Sequence, residues 1–439
     1  MPEKDPGQKK PAPAHKRREI RTMRDAVDEI RIYGEEKPHS AEGAEKSPRP
    51  RKKRARRKKR IGSGLLRFLT PEKRTRRTKD RKLTVFGRQL TFWPMFLLAF
   101  VVLMAIVLFL NSASLTADER DVTLVGLPGD LEGYRILVLS DLNGKRFGDQ
   151  QATLLREIGA LDYDIVLCLG DMVGKGGDPV PFYELLDALP AKKQVYFICG
   201  DSDPGPYISA VRNEAAALER LVLADWILGA MDRGAIYVDA PTKIAVGAAA
   251  VWLTPASMLN LEASSALADW KEQVEQEESG YLSGILSDAA TLPFTSYRLR
   301  RAQALVDAIN AMSSADVQIS LSHVPAADDF IEAAATHAAD AGKYLPAPDI
   351  ALAGHYCGGV WNLPVVGAFY IPDSSAPRYG WFPDQARVSG LRDVDETQLY
   401  VTRGLSTSGD VPLMPFRLLN SPEISVITLT ATLPSSMLE

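Results

Sequence analysis

Three apolar runs in this chain each deliver an aspartate. Tyr134-Arg135-Ile136-Leu137-Val138-Leu139 passes into Ser140-Asp141-Leu142-Asn143, and Asp164-Ile165-Val166-Leu167-Cys168-Leu169 into Gly170-Asp171. Gln194-Val195-Tyr196-Phe197-Ile198-Cys199 passes into Gly200-Asp201-Ser202-Asp203. Two later runs end in histidine: one at His323, the other at His355, with Cys357 two residues on. One acidic strand end caps a helix as readily as it holds a ligand, and a lone histidine is more often structural. Five such ends in one chain point to a cation site, because carboxylate plus imidazole is the donor mix for Zn, Mn or Fe. Two ions about 3.5–4 Å apart are a recurrent arrangement for phosphoryl chemistry.

The elements that position these residues follow from the same runs. A continuous apolar run of this length is a strand buried on both faces, as in parallel sheets. Open α/β sheets place ligands beyond the carboxyl ends of their strands. Helical patterns at 150–158, 210–223 and 330–341 separate strands and make βαβ units. A strand beginning at Asp121 leads into them, and residues 235–238, 244–253, 399–402 and 424–429 read as further strands. The polar stretch over about 257–311 reads as a helical insertion or lid with no chemistry of its own.

The order of these motifs resembles the calcineurin-like metallophosphoesterases, and most of all their membrane-anchored bacterial branch. The family's signals run Asp-x-His, Gly-Asp-x-x-Asp, Gly-Asn-His-Asp/Glu, a lone His after a strand, then Gly-His-x-His-Gly-Gly. Here they stand as Asp141-Leu142-Asn143, Gly170-Asp171-Met172-Val173-Gly174, Gly200-Asp201-Ser202-Asp203, Ser322-His323 and Gly354-His355-Tyr356-Cys357-Gly358-Gly359. The likeness continues through 403–409 and 421–424 and covers about 124–429. It implies an α/β sandwich of two facing sheets with flanking helices, all motif loops at one edge. It further implies one or two divalent ions and a phosphoester substrate. Asp141, Asn143 and Cys357 would stand at the first metal, Asp171 would bridge, and Asp201, His323 and His355 would complete the second. Asp171 and Asp203 are the candidate catalytic carboxylates.

Asp201 stands where the family has an Asn, and three further departures bear on the chemistry. Asn143 replaces a histidine, and a carboxamide is a poor ligand for a transition metal. Cys357 replaces another, though a thiolate binds Zn. Ser202 stands where the family has the histidine near the leaving group, and a hydroxyl cannot protonate a leaving alkoxide at neutral pH. Two readings stay open: a metal-dependent phosphoesterase of weak or altered activity, or a pseudophosphoesterase that works as an envelope-facing binding or scaffold module.

Charge divides the chain. Of 52 Lys+Arg and 55 Asp+Glu, residues 1–88 hold 30 and 12, leaving 22 and 43 for the rest. Between them, residues 92–110 carry no charge. Such a run rises about 28 Å as a helix, close to the roughly 30 Å of a bilayer's hydrocarbon core. The positive-inside rule then makes 1–88 a cytoplasmic tail and the acidic part extracytoplasmic. A cleaved signal peptide has a shorter apolar core, which favours an uncleaved single-pass anchor at 89–111. A linker over 112–123 and a phosphoesterase-like domain over 124–439 complete the layout. The tail is too polar to fold alone. Ten of the twelve residues at 49–60 are basic, which suits anionic lipid headgroups. No aromatic residue interleaves them and no DNA-reading fold surrounds them, which argues against nucleic acid as a partner. A membrane position also makes a lipid-linked phosphoester a natural substrate class. Three cysteines make no disulfide framework; Cys168 and Cys199 read as buried thiols, with a bridge between them the alternative.

Overall fold

The computed structural model describes residues 83–85, 88–90, 92–208, 222–283, 292–407, 411 and 416–431. The basic tail and most of the helix expected at 210–223 lie outside the described residues. The chain divides into two units, Met1–Val101 and Val102–Glu439. The first carries an antiparallel pair, β1 (Leu83–Val85) and β2 (Arg88–Leu90). A helix of 22 residues, Phe92–Ala113, follows in sequence. Among the described residues, which include the side chains of 94–107 of that helix, no helix is long and apolar enough to cross a membrane. The structure therefore lends the expected transmembrane helix no support.

The second unit holds two six-stranded sheets. The first runs, side by side, β3 (Thr116–Leu124), β16 (Glu423–Ala431), β4 (Arg135–Leu139), β5 (Ile165–Leu169), β6 (Val195–Ile198) and β7 (Ile236–Tyr237). The second runs β14 (Gly390–Val394), β15 (Thr397–Val401), β11 (Ile350–Ala353), β10 (Val317–Leu321), β9 (Ala249–Pro255) and β8 (Thr242–Val246). A small antiparallel pair, β12 (Asn362–Leu363) and β13 (Gly367–Ala368), stands apart. β4 to β7 are parallel, as are β9, β10, β11 and β15. The runs at β5, β9, β10 and β11 are buried at every residue, as continuous apolar strands covered on both faces must be. β3 begins at Thr116, within the stretch read from sequence as a linker.

Period-two alternation divides each strand between two cores. Ile136, Val138, Leu167 and Leu169 face Val251, Leu253, Ile319 and Leu352 across the gap between the sheets. Leu137, Leu139, Val166, Cys168 and Phe197 point the other way, onto Leu154, Phe182, Leu185 and Trp226 of flanking helices. Phe182 meets Phe197 edge-to-face at 5.7 Å between ring centres. The stretch at 257–311 contains two helices, Ala263–Leu282 and Leu292–Ala311. The second is no lid along its length. Its Leu305 packs with Met258, Ala334 and Leu345, and Ala308 with Trp252 of β9. The three cysteines are free, so Cys168 and Cys199 form no bridge. Burial pushes the Cys168 thiol up to about 12.

Candidate metal centre

Parallel pairing sets the motif loops level. Leu139 is opposite Cys168, and Leu169 opposite Ile198, so Asp141, Asp171 and Asp201 leave the first sheet at one end. Leu321 is opposite Leu352, which brings His323 and His355 out together from the second sheet. The loops turn sharply there. Asp141, Asn143, Asp171, His355 and Cys357 all have φ between 51° and 65°, a left-handed conformation that costs a non-glycine residue roughly 1–3 kcal/mol and gathers at functional sites. At Gly200 a Cβ would run into the Asp171 carboxylate, so only glycine lets the two loops approach this closely.

Four side chains converge. The ligand atoms of Asp171, Asp201, His323 and His355 all lie within 4.8 Å of one another. His323 Nε2 is 3.2 Å from Asp171 Oδ2 and 3.1 Å from Asp201 Oδ1. His355 Nδ1 is 3.2 Å from Asp201 Oδ1 and 3.2 Å from His323 Nε2. Ligand atoms about 2.0–2.2 Å from a shared ion stand roughly 3.0–3.5 Å apart, so these spacings suit a transition metal. The buried Asp171 Oδ2 makes no hydrogen bond in the protein, while Oδ1 accepts one from the Ser202 amide at 2.9 Å. His323 Nδ1 lies 2.7 Å from the Leu169 carbonyl oxygen. Donation there leaves Nε2 with a lone pair directed at the carboxylates, the usual outer-shell device for a histidine ligand. The donor set and its orphaned oxygen therefore fit a divalent cation. Asp171, His323 and His355 are buried, whereas the Asp201 side chain is 53% exposed, so the cluster opens to solvent on that side.

The electrostatics match. Burial would raise the Asp201 carboxyl, but hydrogen bonds with His323 and His355 overcome it and hold the acid well below its usual range. Burial would lower His323, and its contacts with Asp171 and Asp201 outweigh that and raise it well above the ordinary imidazole value. The excess negative charge calls for a cation, whether proton or metal.

The other residues singled out from sequence lie outside this group of four. Asp141 is fully buried, and its Oδ2 accepts from the Ser140 hydroxyl at 2.7 Å and the His355 amide at 3.2 Å. Burial and the nearby Asp171 charge raise its carboxyl, against the pull of His323. Cys357 Sγ donates to the His355 carbonyl at 3.2 Å and lies 3.8 Å from Asp141 Oδ1. Asn143 donates its backbone N–H to the Asp171 carbonyl at 2.7 Å, and its buried side-chain Nδ2 has no partner. Asp203, expected to be catalytic, spends both oxygens on the backbone: Oδ1 accepts from Val173 and Gly174, each at 2.8 Å, and Oδ2 from Gly200 at 2.9 Å. It pins the Asp171 loop to the Asp201 loop.

Sequence reasoning missed Arg417. It is buried, and its guanidinium donates to the carbonyls of Cys357, Arg403, Gly404, Ser406 and Asn420 at 2.8–3.2 Å. Asn420 Nδ2 adds a second bond to the Cys357 carbonyl at 2.7 Å. The loops behind Asp141 and His355 are thus gathered on one cation. Burial lowers the guanidinium's pKa, and the neighbouring Cys357 and Asp141 raise it. A basic residue in an irregular segment, bound to backbone oxygens and to Asn420 Oδ1 at 3.3 Å, leaves no spacing pattern to read.

Two facing sheets with a carboxylate–imidazole cluster at their strand ends define a metal-dependent hydrolase. A model of the calcineurin-like phosphoesterase family matches residues 134–358. That span exceeds half of the 439 residues and contains every motif loop of the cluster. The chain belongs to the calcineurin-like phosphoesterase family, and is a metal-dependent phosphoesterase. Among solved structures it is similar to the phosphopantetheinyl hydrolase of Mycobacterium tuberculosis, at 10% identity over 63% of this chain and 91% of that one, with a TM-score of 0.31. No curated protein matches the chain.

Proposed function

We propose that this protein hydrolyses a phosphoester with a good leaving group, using one divalent ion held by Asp171, Asp201, His323 and His355. The convergence of those four ligand atoms carries the reading. A bound divalent ion supplies Lewis acidity, lowering the pKa of water and offsetting phosphoryl charge. The chain's residues do the rest. The Leu169 carbonyl fixes the His323 tautomer, the Ser202 amide orients Asp171, and Asp203 holds the two aspartate loops in register. The exposed side at Asp201 admits substrate. Ser202 offers no acid for the leaving group, which favours aryl and other acidic leaving groups and limits the rate for alkyl esters.

The full chain, purified and loaded with Mn or Zn, should hold about one equivalent of metal and cleave an aryl phosphodiester. No bound metal would overturn the reading. Metal without hydrolysis would favour the pseudophosphoesterase, to which the withdrawal of Asp141 and Cys357 into internal hydrogen bonds lends weight.

The membrane-anchored reading belongs here too. Its support is the uncharged run at 92–110 between a basic tail and an acidic remainder. It makes the acidic domain extracytoplasmic, the tail a partner for anionic lipid, and a lipid-linked phosphoester the substrate class. Protease shaving of intact cells should release the acidic domain; degradation of the basic tail instead would reverse the orientation.

A further inference from the structure

We propose that the outer face of the second sheet carries a separate binding site for a small organic cation, an ammonium or guanidinium compound bearing a hydrogen-bonding group, in the cavity lined by Gln318. Along β10, Val317, Ile319 and Leu321 face the core between the sheets, so Gln318 faces outward. There it is only 3% exposed, and neither Nε2 nor Oε1 has a hydrogen-bond partner. A carboxamide buried with both ends unpartnered is unfavourable, and it lines a cavity of about 390 Å³. That volume is within the range of small-molecule sites. Gln318 is five residues before His323, roughly 16 Å along the strand at about 3.3 Å per residue. The cavity is therefore not the metal cluster seen from behind.

The lining decides the ligand's chemistry. Asp316 and Asp349 both border the cavity. Asp349 Oδ2 accepts from the Gln318 backbone N–H at 2.7 Å. Asp316 Oδ2 accepts from Trp252 Nε1 at 3.0 Å and the Ser313 amide at 3.1 Å. The lysines of this face are engaged elsewhere: Lys243 lies over the Trp252 ring and Lys343 pairs with Asp340. Two carboxylates and the Gln318 oxygen thus favour N–H donors of positive charge, and Gln318 Nε2 requires an acceptor on the same molecule. A flat aromatic ligand fits less well, because Tyr344 is already stacked on His337 at 4.6 Å and Lys243 covers Trp252. A metal ion is disfavoured, since among the described residues no group of three ligand side chains gathers here.

Calorimetric titration of the full chain tests this with lysinamide and argininamide as cationic probes, each with a carboxamide oxygen for Gln318 Nε2, hexanamide as the neutral probe and succinate as the anionic one. Lysinamide or argininamide should bind saturably at one equivalent, and hexanamide and succinate should not. Ser314→Trp, at the exposed rim of the cavity, should weaken the cationic probe at least about tenfold by blocking the mouth, with metal content and hydrolysis unchanged. Asp349→Asn should weaken it similarly where that variant folds. The site does not exist if no cationic probe saturates, if Ser314→Trp binds as the parent does, or if hexanamide binds equally well. Binding at many equivalents that salt removes is attraction to the acidic surface, and also overturns the proposal.

Discussion

The two sides of the strand-end site use the same kinds of residue and turn them in opposite directions. On one side Asp171, Asp201, His323 and His355 aim four ligand atoms at one another, leaving Asp171 Oδ2 without a hydrogen bond. On the other, Asp141 and Cys357 aim theirs into the protein, at a hydroxyl, a backbone amide and a carbonyl. Both sides rest on left-handed loops, so strain does not separate them. Satisfaction does. A carboxylate whose lone pairs are filled by internal donors must lose those bonds before it can hold an ion, whereas an orphaned one gains by it. Cys357 sits on the satisfied side, while Asn143, on the Asp141 loop, keeps a buried Nδ2 without a partner; at both positions the family pattern has histidines.

The largest effect that would sharpen this contrast is at the shared carboxylates. Asp171→Ala should empty the cluster of metal and lower hydrolysis by more than the roughly 10–100-fold expected for losing an outer-shell partner. Asp141→Asn should leave close to one equivalent bound, since its Oδ2 serves Ser140 and His355. Elemental analysis of the two variants reads this directly. Equal metal loss in both would break the comparison and make Asp141 a ligand.

Arg417 ranks next. Its guanidinium holds the carbonyls behind Cys357 and Gly404. Arg417→Ala would strip the shared donor from the carbonyls of Cys357, Arg403, Gly404, Ser406 and Asn420, though Asn420 Nδ2 still holds the first and the Glu423 amide the third, a loss of about 3–5 kcal/mol by analogy with breaking a buried charge contact. The urea midpoint should fall accordingly, while metal stays bound in the fraction that remains folded. A midpoint close to that of the parent would mean that water replaces the guanidinium.

Much of this was legible in sequence, for a definable reason. The runs that became β4, β5, β6, β10 and β11 are apolar on both faces, and parallel pairing puts their ends level, so strand-end Asp and His could be listed before their positions were known. Which of them converge was not legible. Asp141 and Asp171 follow similar strands, and they differ only in what meets their oxygens across the loops. Asp203 reads in sequence as a candidate catalytic carboxylate because its three amide partners, at 173, 174 and 200, carry no side-chain signature. The helix Leu292–Ala311 falls in the stretch read as a helical insertion or lid, and its polar surface hid the few small and apolar residues, Ala302, Leu305 and Ala308, by which it packs.

A gain-of-ligand experiment is expected to be more modest. Asn143→His with Cys357→His restores the family's residue types on the Asp141 side. Each alone should add little metal, because Asp141 is still bound by Ser140 and the His355 amide. Together they should raise metal content above one equivalent in excess Mn, non-additively, since both would share one ion. If either single change reaches two equivalents, the internal bonds of Asp141 are no obstacle.

The smallest expected effect is at Cys357 itself, and it tests the comparison most directly. A thiolate ligand would be shielded by its ion and exposed by a chelator. The structure gives Cys357 a different protection. It is fully buried, and its Sγ–H donates to the His355 carbonyl, which requires the proton. Burial does not depend on an ion, so alkylation should be equally slow with and without chelator, changing by less than about twofold. Cys199, only partly buried, serves as the internal reference for reagent access. Alkylation of Cys357 that accelerates more than about tenfold on chelation, with Cys199 unchanged, would place a metal on the sulfur and restore a two-sided site.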